Sequence, residues 1–166
     1  MSNNIPSNTH IIATPKPITV NLTPYAMAVF SSDLDVAIKS IDTSTRFSAA
    51  KFFLICLSIE LAIKSTLLSL GLPKGNVHGH DLDDLLQKFV KSINPSFITA
   101  KDEKLIQQAV RFYSREPGSS KGIVYFEANM KEQALKGYKD LPKIKDLENI
   151  HRKFQRYLKK NDLNIG

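Results

Sequence analysis

The sequence predicts an all-α protein, a bundle of about five helices preceded by a flexible N-terminal arm. Three observations carry that expectation. Apolar residues recur at three- and four-residue spacing in five separate segments. Helix start and stop signals frame most of those segments. The pattern of a strand is confined to "GIVYFE" at 122–127, where β-branched and aromatic residues suggest one short extended piece.

Taken in order, residues 1–22 are polar, hold prolines at 6, 15 and 17, and show no helical period, so they read as the arm. A single helical-bundle domain is expected over 23–166. Thr23-Pro24 is a helix start, a threonine cap followed by proline at the first helical position. Met27, Phe30, Leu34, Ala37, Ile38 and Ile41 follow as the inward face until "DTSTR" breaks the helix. A second helix is expected from about Phe47 to Leu70, stopped by Gly71 and Pro73. It is apolar around most of its circumference, as a core helix is. Ser58, Ala62, Ser65 and Ser69 form a stripe of small residues with Lys51 and Ile55, a surface another helix can approach closely, from this chain or a second copy. Asp81 should cap a third helix running through Ser92, with Leu82, Leu85, Leu86 and Phe89 inward. A fourth spans Ala100 to Ser114 with Leu105, Ile106, Val110 and Tyr113 inward. The last begins near Asp140 and carries Ile144, Leu147, Ile150, Phe154 and Leu158 at helical spacing among many lysines and arginines.

The bulk numbers bound the partners. With 166 residues, 42% of them apolar, the chain is long enough for one cored domain and too apolar for wholesale disorder. Lys plus Arg total 23 against 16 Asp plus Glu, and the net charge of +7 favours anionic partners such as nucleotides, RNA or acidic proteins. Cys56 is the single cysteine, which excludes an intramolecular disulfide. The N-terminal stretch has no basic region followed by an apolar run, and the charge-free run Phe52 to Ile59 is far short of the ~18 residues of a membrane span. A cytoplasmic protein without membrane contact is expected.

Candidate chemistry is sparse. Glu60 and Lys64 stand four residues apart on the greasy second helix, opposite the serine stripe and beside Phe53, Cys56, Leu57 and Leu67. Such a pair either ties the helix to a neighbouring loop or lines a polar site, and spacing alone leaves both readings open. "HGHD" at 78–81 invites a metal, but zinc needs three or four converging ligands, and His10 and His151 lie elsewhere. A helix cap at Asp81 and a turn-fixing hydrogen bond from His80 explain the motif more simply. "GSSKG" at 118–122 fails the phosphate-loop pattern. Arg111, Arg115 and Lys121 are further ligand candidates because they place charge near that irregular loop. The basic last helix is the best electrostatic footprint for an acidic partner. No cofactor is indicated.

The run 49–86, "AAKFFLICLSIELAIKSTLLSLGLPKGNVHGHDLDDLL", resembles the HEPN family, the higher-eukaryote and prokaryote nucleotide-binding domains. Those domains often carry a Glu-x-x-x-Lys helix, a short loop and a His-Asp-Leu opening the next helix, which here correspond to Glu60, Lys64, His80, Asp81 and Leu82. The likeness covers about a quarter of the chain. It implies a HEPN-like helical bundle, a homodimer, and a polar patch joining two helices. It also implies a binding module for a nucleotide, RNA or a protein partner such as a nucleotidyltransferase, in a toxin–antitoxin or phage-defence setting. Many family members are ribonucleases that use an Arg followed, after four to six residues, by a His. The arginines here are 46, 111, 115, 152 and 156, and none precedes His10, His78, His80 or His151 at that spacing. A module without catalysis is therefore the expectation, with a divergent metal-independent ribonuclease or a purely structural interaction protein as alternatives.

Overall fold

A computed structural model describes residues 23–42, 48–113, 141–161 and 163. Among the described residues it is an all-α bundle of five helices: α1 (Pro24–Ser40), α2 (Ala49–Ser69), α3 (Leu82–Ile93), α4 (Ala100–Tyr113) and α5 (Ile144–Lys160). A single 3-10 turn, Lys74–Val77, joins α2 to α3 and was not foreseen. The expected arm over 1–22, the extended segment at 122–127, and the candidates Arg115 and Lys121 lie outside the described residues.

Local chemistry sets the ends. The Thr23 hydroxyl accepts from the Ala26 amide, and Pro24 opens α1 as expected. Ser48 caps α2 through the Lys51 amide, so the helix starts at Ala49, not near Phe47. Gly71, at φ +85°, closes α2 in the left-handed conformation that glycine adopts freely. Asp81 Oδ1 accepts from the amides of Asp83 and Asp84, and those two carboxylates sit against the positive end of α3. Asn94, also left-handed at φ 43°, ends α3 inside the "INPSF" stretch.

α2 is the centre of the bundle and packs against each of the other four helices. Its most extensive partner is α1. The serine stripe is the seam between them. Ser58 and Ser31 hydroxyls lie 2.9 Å apart, and the Ser65 hydroxyl donates to the Pro24 carbonyl. The small residues thus admit a helix of the same chain. Phe52, Phe89 and Phe154 are fully buried, and burying each such ring contributes about 2–3 kcal/mol. Cys56 lies in this core, 1% exposed.

Two expectations need correction, one about a helix face and one about length. Phe30 is 51% exposed, because α1 buries the stripe Met27, Ser31, Leu34 and Ile38, which leans toward the seam hydroxyl. Counted across Glu60 and Lys64, α2 is long and apolar enough to cross a membrane, contrary to the expectation drawn from its charge-free run. The apolar window is 72% buried inside the bundle, as the window of a core helix is.

Candidate functional site

The sequence pointed first to Glu60, Lys64, His80 and Asp81, and the fold brings the first three together. Glu60 is fully buried and acts as a hub. Its Oε1 accepts from Lys64 Nζ at 2.6 Å and lies 2.9 Å from His80 Nδ1. Its Oε2 accepts from the Tyr113 hydroxyl at 2.6 Å. Lys64 Nζ also donates to the Gly79 carbonyl at 2.5 Å, in a turn where Gly79 takes φ +98°. One carboxylate therefore ties α2 to the turn before α3 and to the end of α4. Burial, reinforced by the Glu60 charge, pushes the Cys56 thiol and the Tyr113 hydroxyl well above their ordinary ranges. Both therefore stay protonated, and Tyr113 stays a donor.

The geometry gives Glu60 and Lys64 a structural job. A buried ion pair stands only when hydrogen bonds complete it, and here they do. Asp81 is occupied as the cap of α3. Arg111 is exposed in the last turn of α4, away from this cluster's bonds. Neither of the two grooves described next is lined by Glu60, Lys64, His80, Asp81 or Arg111. Among the described residues, no group of three or more His, Cys, Asp or Glu is placed to hold a metal.

A second polar cluster was missed by sequence reasoning. His151 is 1% exposed on the inner face of α5. Its Nε2 lies 2.9 Å from the Ser58 hydroxyl and 3.2 Å from the Gln155 amide nitrogen. The Gln155 amide nitrogen can only donate to Nε2, which puts the ring proton on Nδ1, 3.7 Å from Asp35 Oδ1. Burial pushes the imidazole down to about 4, with Lys39 and Arg152 adding to the effect and Asp35 and Glu148 opposing it. A cavity of about 300 Å3 between α1, α2 and α5 is lined by His151 and Arg152 together with Asp35, Lys39, Lys51 and Glu148. Its charges are largely spoken for. Lys39 pairs with Asp35, and Lys51 pairs with Glu148 while donating to the Ile41 carbonyl. Nε2 is committed to the seam, while Nδ1 stands beside Asp35, which lines the cavity.

The third cluster is a groove of about 400 Å3 where the last turns of α5 face the α3–α4 turn. Lys153, Arg156, Tyr157 and Lys160 recur at i, i+3, i+4 and i+7, so one helical face presents all four. Lys153 is tethered at 2.6 Å to Asp102 Oδ2, which also accepts from the Thr99 amide and hydroxyl. Burial favours raising the Asp102 carboxyl, but the Lys153 and Thr99 hydrogen bonds outweigh it and hold the group below its ordinary value. Arg156 and Lys160 make no ion pair among the described residues. Opposite them stand Asn94 and Phe97, and the Phe97 ring stacks on Tyr157 with centroids 4.8 Å apart. The basic character of α5 was visible in the sequence. That "NPSF" would supply the facing wall was not.

No family model, curated protein or solved structure matches this chain. What the fold and its sites define is a helical bundle with two interior polar clusters and one basic, aromatic-walled groove.

Proposed function

We propose that the chain is a binding module for a phosphate-bearing anion, RNA or a nucleotide, held in the groove between α5 and the α3–α4 turn. One observation carries this reading: Arg156 and Lys160 line a groove of ligand size with no carboxylate partner among the described residues. Ion-paired cations elsewhere on the bundle, such as Lys39, Lys51 and Lys88, have their acid already. An excess of cation at a concave surface attracts phosphate and releases its counterions. The net charge of +7 acts in the same direction at long range. The resemblance of 49–86 to HEPN domains adds support to the nucleotide or RNA reading, and with it the expectation of a cytoplasmic homodimer. The His151 imidazole, 1% exposed and bonded through Nε2 within the seam, lends the ribonuclease alternative no support.

The test is fluorescence anisotropy of a labelled RNA 12-mer at two salt concentrations. Wild-type affinity should fall as salt rises, and Arg156→Glu with Lys160→Glu should weaken binding by roughly tenfold or more. Equal binding by the double variant would overturn the reading.

A further inference from the structure

We infer that the groove takes an unstacked nucleobase together with its phosphate, so that its ligand is a nucleotide unit of a single strand or a free mononucleotide, in preference to a duplex or a bare polyphosphate. This deepens the reading of the groove as an anion site and rests on it.

The cations explain attraction to phosphate but not why the same wall is aromatic. Tyr157 sits between Arg156 and Lys160 along the helix, and Phe97 stacks on it with an interplanar angle of 23°. Both rings line the groove and keep part of their surface open. Beneath them, Phe89 meets Phe97 edge-on at 6.1 Å and Tyr157 edge-on at 6.2 Å. Phe97 in turn meets Phe154 at 89°. The shelf is therefore held from below by the core, and a ligand ring would find it already in place.

A partly open pair of stacked aromatic rings, beside cations that have no ion-pair partner among the described residues, matches a base beside its phosphate. Duplex bases hide their faces in the stack and could not use the shelf. A groove of about 400 Å3 is of small-ligand size, which suits one nucleotide unit. The Asn94 amide lines the same groove, and it offers both a donor and an acceptor for a base edge.

The experiment compares four ligands by anisotropy or competition: an RNA 12-mer, an abasic strand with the same number of phosphates, a 12-base-pair duplex, and adenosine and uridine monophosphates. The expected result is that the RNA strand binds about tenfold more tightly than the abasic strand, in the range that one or two stacked bases give. Tyr157→Leu, which keeps apolar bulk without a π-face, should erase that preference while Arg156→Glu weakens both strands alike. A melting curve confirms that each variant is folded. Ultraviolet crosslinking of wild-type protein to RNA gives a readout independent of variants, with the adduct expected at Tyr157 or Phe97. Displacement by a mononucleotide identifies the free nucleotide as source, and displacement only by the strand identifies RNA. Equal binding of abasic and base-bearing strands, preference for the duplex, or adducts only outside the groove would overturn the inference while leaving the anion site standing. No binding of any phosphate ligand would overturn both.

Discussion

The Tyr113 hydroxyl donates a 2.6 Å hydrogen bond to Glu60 Oε2, fastening the last residue of α4 to the middle of the core helix. Tyr113→Phe keeps the ring and its packing on Phe53 but leaves one carboxylate oxygen without that donor. The expected loss is about 1–3 kcal/mol, read from urea unfolding. Glu60→Ala should cost more, about 3–5 kcal/mol, because it strands Lys64 in the interior. Near-neutral unfolding for both variants would mean the hub does not hold the bundle.

Ser58 tests the seam between α1 and α2. Its hydroxyl meets Ser31, His151 and Gln155 in a space with no room for bulk. Ser58→Ala should cost about 1–2 kcal/mol by leaving partners unsatisfied. Ser58→Leu should cost more, since helices this close cannot accept a large side chain without moving apart. Circular dichroism melts would rank the three proteins.

The cap at Asp81 is exposed, so its effect is local. Asp81→Ala removes the acceptor for two amides and should lower stability by about 1 kcal/mol. Asp81→Asn keeps an acceptor and should recover most of that loss.

His151 makes stability depend on acidity. Its folded value is pushed from 6.5 to about 4, so the unfolded chain binds the proton first as pH falls. The contribution is complete above the unfolded value and is lost progressively between 6.5 and about 4. It amounts to up to about 3 kcal/mol. Urea titrations of wild type and His151→Gln at about pH 7.5 and about pH 4.5 should show the wild type losing more stability than the variant. Parallel losses would place the acid sensitivity elsewhere, with Asp102, whose carboxyl is held below its ordinary value, the first group to examine.

The helices were legible because their signals are local. Thr23-Pro24, Gly71 and Asp81 mark ends through bonds made within a few residues, and the core faces of α3 and α5 follow directly from spacing. Phe30 was misplaced because the helical period permits more than one face, and only the Ser31–Ser58 contact decides which turns inward. His151 left a trace that charge obscured: it falls on the stripe of Ile144, Leu147, Phe154 and Leu158, yet it reads as one more polar residue in a basic helix. The Glu60–Lys64–His80 association was half visible as a motif, whereas its third anchor, Tyr113, comes from 53 residues away. The groove was the least legible feature, since it exists only where "NPSF" and the end of α5 meet in space.

Cys56 gives the bundle a built-in clock. A thiol that is 1% exposed, and whose ionisation is opposed by burial and by the Glu60 charge, cannot meet an alkylating reagent in the closed state. As the chain's single cysteine, it reports without ambiguity. Each labelling event requires an opening of the core around α2, so the alkylation rate under native conditions reports how much of the time the interior stands open when reclosing outpaces the reagent.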